Sequence, residues 1–129
     1  SLNYAPIRIH VGNDYQLAIQ ALTRYDYLIA CSLADGLNLV VKEGAILNNR
    51  NGVIISTKNV GAMAELGEFC IVAAEATEIG IIESLREAQN LSSESRRKMS
   101  AELKRHIQEF DSSNWAQNAV ANFKVLEKV

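Results

Sequence analysis

Apolar and polar positions follow two different periods along this chain. Four short apolar runs, Ile7 to Val11, Tyr27 to Cys31, Val53 to Ser56 and Phe69 to Ala73, are rich in isoleucine, valine and tyrosine and predict strands. Three of them are nearly continuous, which suits a parallel sheet covered on both faces. Ile7-Arg8-Ile9-His10-Val11 alternates instead, which suits an edge or half-exposed strand.

Helical spacing separates the runs. Asn13-Asp14 precedes Leu17, Ala18, Ala21 and Leu22 at three- and four-residue spacing, a capped amphipathic helix. Leu39, Val40, Ala45, Ile46 and Leu47 outline a second helix. Gly61 to Leu66 outlines a short third, with Gly67 as its C-cap. From Thr77 onward the strand signals stop. Ile79, Ile81, Ile82, Leu85 and Ala88 mark a helix over Glu78 to Gln89. Ser92-Ser93-Glu94 reads as the entry to another, which carries Met99, Leu103, Ile107 and Phe110. Ser112-Ser113 caps a last helix with Trp115, Ala119, Phe123 and Leu126. These stripes are core-facing rather than cofactor-binding.

Strand–helix alternation of this kind predicts an α/β fold: a parallel Rossmann-like sheet with helices on both faces and a helical C-terminal extension. Doubly wound domains usually carry about five or six parallel strands. Only four are visible, so the chain reads either as a small sheet or as the later part of a larger domain.

Composition narrows the function classes. The chain has 129 residues, 48% of them hydrophobic, enough for one domain with a real core. Its net charge of −2 argues against a nucleic-acid surface. No apolar run reaches the ~20 residues that span a bilayer, and no signal-peptide pattern opens the chain. Cys31 and Cys70 each adjoin an apolar run and read as free thiols, so a cytoplasmic setting is expected. The only proline is Pro6, and no linker or internal repeat is visible.

Candidate chemistry concentrates in Asp35-Gly36-Leu37-Asn38-Leu39-Val40-Val41-Lys42-Glu43, between the second strand run and the second helix. Strand ends followed by helix N-termini are where α/β proteins hold phosphates and sugars. Asp35 is expected at the helix start. The amides of Gly36, Leu37, Asn38 and Leu39 would lack helical partners and could meet an anion, and Gly36 would let a ligand approach the backbone. On one helix, Asp35 and Glu43 would be just over two turns apart, about 12 Å along the axis. Two carboxylates so placed suit a ligand with two polyol ends joined by phosphates. The plainer alternative makes Asp35 a helix cap and Glu43 a surface residue beside Lys42.

Other polar residues point to less. His10 and His106 are too far apart in sequence for a zinc spacing, and His106, among charged neighbours, is expected to be solvated. Cys31 and His10 at adjacent strand ends would form a nucleophile pair only with an oxyanion site, and none is evident. Arg96-Arg97-Lys98 reads as a solvated helix face.

Together these segments resemble the C-terminal, donor-binding half of the trehalose-6-phosphate synthase family, retaining glycosyltransferases built from two Rossmann domains. The family's Arg-Asp-Gly-Met-Asn-Leu-Val-Ala-Lys-Glu appears here as Ala34 to Glu43. Leu22 to Asp26 resembles the helix end before that strand. Ile55-Ser56, Gly61-Ala62 and Glu65-Leu66 resemble the segment after it, and Asp111 with Trp115 resembles the final helices. The likeness runs from about Ile7 to the end of the chain.

The resemblance implies a single nucleotide-sugar-binding domain over residues 1–129, truncated on its N-terminal side. Asp35 would bond the donor sugar's hydroxyls, the backbone from Gly36 through Leu37, Asn38, Leu39 and Val40 would face the phosphates, and Glu43 would take the ribose diol. It implies UDP-glucose or a similar donor and a sugar-phosphate acceptor held by an N-terminal domain this chain lacks. It implies no metal and no other cofactor, and it names no catalytic residue here. The isolated chain is then expected to be inactive. Partnership with nucleic acid or membrane is not expected, whereas an exposed apolar face around Trp115 and Phe123 could support a homo-oligomer.

The chain also departs from the family pattern. Ala34 stands for the arginine and Ser32 for a common proline. Asp14-Tyr15 stands near where the family offers a basic residue, and Ala73-Ala74-Glu75-Ala76 replaces Asn-Pro-x-Asp. The segment Asn48 to Gly52 is short, closer to the pseudo-glycosyltransferase branch, which joins cyclitols. A non-catalytic α/β binding or regulatory module is the reading from a different class.

Overall fold

The computed structural model describes residues 6–110, with Ser113 and Gln117. In chain order it contains α1 (Tyr15–Leu22), β1 (Tyr27–Ala30), α2 (Leu39–Leu47), β2 (Val53–Thr57), α3 (Met63–Leu66), β3 (Ile71–Ala73), α4 (Glu78–Asn90) and α5 (Ser93–Glu109). A 3-10 turn over Gly67–Phe69 joins α3 to β3. The expected last helix with Trp115, Ala119, Phe123 and Leu126, and Asp111, lie outside the described residues.

The three strands form one parallel sheet in the order β1-β2-β3. Tyr27 pairs with Val53 and Ile55 with Ile71. β2 is central, and all five of its residues are buried. Its side chains divide by parity, as the two-residue period of a strand requires. Ile54 joins Val41, Ala45, Leu66 and Leu103 in one core. Val53 and Ile55 join Ile71 and Ala88 in the other, with Leu85 and Met99 packed alongside. Both faces are thus covered, as the continuous apolar runs predict. Burying each isoleucine of β2 contributes roughly 2 kcal/mol.

The helix boundaries follow local chemistry. The Asp14 carboxylate accepts the Leu17 amide at 3.0 Å and opens α1. Thr77 accepts from Gly80 at the start of α4, and Ser92 accepts from Ser95 at the start of α5. α2 ends in a knot that sends the chain into β2. Asn48, 1% exposed, donates through Nδ2 to the Tyr25 carbonyl at 2.8 Å. Its Oδ1 accepts the amides of Arg50 and Gly52 at 2.9 and 2.8 Å, and its carbonyl accepts the Lys104 ammonium.

Two expectations are corrected. Ile7 to Val11 is not a strand: Ile7, Ile9 and Val11 are 77%, 81% and 95% exposed, and β1 pairs only with β2 among the described residues. Alternation makes a strand only where a neighbouring strand accepts its ladder. Phe69 lies in the 3-10 turn rather than in β3. Gly67 caps α3 as expected, its amide donating to the Met63 carbonyl, with φ −61° on the right-handed path.

Candidate functional site

The site is built where β1 and β2 end. Both strands run parallel, so the loop after β1 and the turn after β2 leave the sheet at the same, carboxyl-terminal, edge. Four hydrogen bonds lock them together. Thr57 donates its hydroxyl to the Ser32 carbonyl at 2.6 Å, and Asn59 Nδ2 donates to the Leu33 carbonyl at 2.9 Å. The Asp35 amide donates to the Asn59 carbonyl at 3.2 Å, and the Gly61 amide donates to the Asp35 carbonyl at 2.9 Å. Asp35 and Val60 thereby form an isolated parallel bridge.

Two glycines meet at this clamp for different reasons. A Cβ on Gly61 would stand 1.8 Å from the Gly36 carbonyl oxygen, so only glycine fits. A Cβ on Gly36 would find nothing within 4 Å. The chain demands Gly61; at Gly36 it leaves open space.

The Asp35 carboxylate is oriented by its own loop. Oδ1 accepts the Asn38 amide at 3.2 Å, and Oδ2 accepts Asn38 Nδ2 at 3.1 Å, with the Ser32 hydroxyl at 3.4 Å. Asn38 takes the left-handed conformation, φ 53°, and α2 begins after it. Two expectations change as a result. Asp35 does not start or cap the helix, because the bridge to Val60 holds it outside α2. The eight positions that separate Asp35 from Glu43 are therefore not two turns of one helix, and the 12 Å axial spacing does not apply.

Leu39 and Val40, the first residues of α2, are exposed, and Leu37 before them is exposed as well. Val41 and Ala45, one helical turn apart on the opposite side, are buried and pin α2 to the core. The first-turn amides precede the first intrahelical bond and are directed out of the helix end. Glu43 is exposed and borders a groove of about 330 Å³ with Tyr15, Ile19, Lys42, Ile46, Leu47 and Ile107. Lys42 turns from it to Glu65, at 2.9 Å. One stretch of sequence thus places Asp35 in the clamped loop and Glu43 on α2, beside a largely apolar groove.

The remaining candidates fall away from this site. His10 lies in exposed chain, in a cleft of about 550 Å³ with Ile9, Val11, Gly12, Asp14 and Leu17. The Cys31 thiol donates to the Ile55 carbonyl at 3.8 Å, and burial raises its pKa, which disfavours the nucleophilic thiolate. Cys70 is buried and free, its thiol pushed up to about 12 by burial. His106 is not solvated: its ring lies between Phe69 and Phe110, at 5.2 and 4.7 Å, with Nε2 3.5 Å from Glu65 Oε1. Arg96 is not a solvated cation either. It donates to the Asp26 carbonyl at 3.2 Å and lies over the Tyr27 ring at 5.1 Å. Sequence reasoning missed the clamp formed by Thr57, Asn59 and Gly61. Its one visible signal was the glycine at 61 following a strand and turn.

Comparison with solved structures identifies the architecture. The chain superposes on a UDP-forming α,α-trehalose-phosphate synthase from Burkholderia xenovorans, determined in complex with glucose-6-phosphate, with a TM-score of 0.79 at 23% identity. The match covers 96% of this chain and 28% of that one. The fold is that of the GT-B glycosyltransferases. The model of glycosyltransferase family 20 matches residues 1–125, and the chain belongs to that family. Validamine 7-phosphate valienyltransferase of Streptomyces hygroscopicus is 38% identical over 64 residues, which is 50% of this chain and 13% of that protein. Trehalose-6-phosphate synthase of Mycobacterium tuberculosis is 32% identical over 94 residues, 72% of this chain and 19% of that protein. The chain thus spans less than a fifth of these relatives. No described helix is long and apolar enough to cross a membrane.

Proposed function

We propose that this chain is the donor-binding part of a trehalose-6-phosphate synthase-like glycosyltransferase. The donor is a nucleotide sugar, UDP-glucose or similar, and the acceptor a sugar phosphate bound by another part of the whole protein. The observation that carries the reading is the clamped Ser32 to Asn38 loop. It presents an oriented carboxylate at Asp35 beside open space at Gly36, directly before the free amides of a helix end.

That arrangement suits the chemistry. A carboxylate accepts hydrogen bonds from sugar hydroxyls and holds the ring by its polyol edge. The amides of Leu39 and Val40 offer partial positive charge to a diphosphate. As the bond from the anomeric carbon to the leaving oxygen breaks, negative charge grows on that diphosphate, and fixed dipoles favour this state without reorganising. Glu43 would receive the ribose diol across the first turn of α2. No metal enters this scheme. The isolated chain is proposed to transfer no sugar at a measurable rate.

A pseudo-glycosyltransferase is the second reading. The 38% identity to a valienyltransferase and the replacement of the family arginine by Ala34 favour it. Titration of the isotope-labelled chain with UDP, GDP and their glucose conjugates, followed by NMR, tests both. Shifts confined to residues 35–43, lost in Asp35→Asn and Glu43→Gln and unchanged by a chelator, are expected. Silence of this segment toward every nucleotide would sink the donor-site reading in favour of a non-catalytic module. Turnover by the purified chain would overturn the claim of inactivity.

A further inference from the structure

Asn38 occupies the position that caps α2, yet its side chain makes no capping bond. Its backbone lies at φ 53° and ψ 77°, a conformation that glycine adopts more readily than any other residue. Its amide reaches back to Asp35 Oδ1 at 3.2 Å and its Nδ2 to Asp35 Oδ2 at 3.1 Å. Its Oδ1 is shut away from solvent with no partner. A side chain that declines the helix cap, tolerates the left-handed region and leaves a buried oxygen unpaired is committed to its one contact, the Asp35 carboxylate.

We infer that Asn38 is a positioning residue for Asp35, holding its side chain in one rotamer about the Cα–Cβ bond so that the outward lone pair of Oδ1 meets the hydroxyls of the sugar. The inference rests on the donor-site reading and adds to it a residue that acts through its side chain. Each carboxylate oxygen has about two acceptor directions. Asn38 takes one on each oxygen and the Ser32 hydroxyl takes a second on Oδ2, so the outward direction on Oδ1 remains for a polyol. Without Nδ2 the carboxylate keeps only the Asn38 amide and the longer Ser32 contact, so it leaves this rotamer more readily, and the entropy of fixing it falls on ligand binding.

Glycine separates this role from a purely conformational one. Asn38→Gly permits the left-handed backbone and the amide bond to Oδ1 and removes the side chain, with its Nδ2 bond to Oδ2 and its unpaired Oδ1. Asn38→Asp keeps the side-chain shape and sets a second carboxylate against Asp35. Three-bond couplings across the Asp35 α and β protons, read without ligand, are expected to report one rotamer in the unmodified chain and an average in Asn38→Gly. In the same variants UDP-glucose affinity is expected to fall about tenfold further than UDP affinity, the scale of one hydrogen bond to a charged group. Asn38→Asp is expected to lose more than Asn38→Gly. An unchanged Asp35 rotamer in Asn38→Gly, or equal losses for UDP-glucose and UDP, would overturn the inference. Failure of the unmodified chain to bind any nucleotide sugar overturns the donor-site reading, and the ligand-free rotamer comparison still decides the role of Asn38.

Discussion

Gly61 and Gly36 meet backbone to backbone: a Cβ on Gly61 would stand 1.8 Å from the Gly36 carbonyl oxygen, while the Gly61 amide donates to the neighbouring Asp35 carbonyl at 2.9 Å. The turn after β2 therefore sets the height of the loop after β1. The position of the candidate sugar-binding carboxylate depends on a residue 26 places further along the chain. Gly61→Ala should lower stability by about 2–3 kcal/mol, because neither backbone can yield without breaking the clamp. Gly36→Ala should change stability by no more than about 0.5 kcal/mol yet obstruct nucleotide-sugar binding. Urea denaturation of the two variants, paired with the NMR titration, checks both. Comparable destabilisation by the two would contradict the asymmetry.

Asn48 satisfies three backbone groups with one buried side chain. Asn48→Ala should cost about 3 kcal/mol, since the Tyr25 carbonyl and the amides of Arg50 and Gly52 lose their partners away from water. Asn48→Asp keeps an acceptor for both amides but turns a charged oxygen toward the Tyr25 carbonyl, and should rescue only part of the loss. Unfolding midpoints give the ranking, with the unmodified chain first and Asn48→Ala last.

Stability should fall in alkali. Burial raises the Cys70 thiol from 9.0 to about 12, and burial, with Cys70 next to it, also raises the Tyr25 phenol. Above the unfolded thiol value the unfolded chain releases its proton while the folded chain still holds it. The unfolded state then binds fewer protons, and unfolding becomes easier as pH rises toward the folded value. Urea midpoints should decline from about pH 9 toward about pH 12, and Cys70→Ala should flatten that decline. A slope unchanged in Cys70→Ala would assign the alkaline loss elsewhere.

Lys42 and Glu65 join α2 to α3 at 2.9 Å, with side-chain exposures of 25% and 37%. Solvent screening limits such a pair, so Glu65→Gln should cost less than about 1 kcal/mol. The same change leaves Lys42 without its carboxylate beside the groove that Glu43 borders. A thermal scan reads the first effect, and shifts in the Lys42 and Glu43 amides read the second.

The amino-acid sequence by itself determined the α/β class, the parallel pairing and the buried faces. Those follow from local periods: Val53 to Thr57 is apolar enough to be buried on both sides, and Asp14 and Ser92 carry the oxygen that opens a helix. It also picked out Asp35 to Glu43 as one segment. Tertiary structure alone decided how that segment is divided. Spacing placed Asp35 and Glu43 on one helix because spacing knows only the local period. Asn59 and Gly61 instead draw Asp35 into a bridge outside α2, and the left-handed turn at Asn38 starts the helix three residues later. Likewise the alternating run at Ile7 did not become a strand, because a strand is completed by its neighbour and β1 pairs only with β2 among the described residues. Hydrogen bonds between residues distant in sequence carry no period, so only the folded chain shows where the Asp35 carboxylate lies and what holds it there.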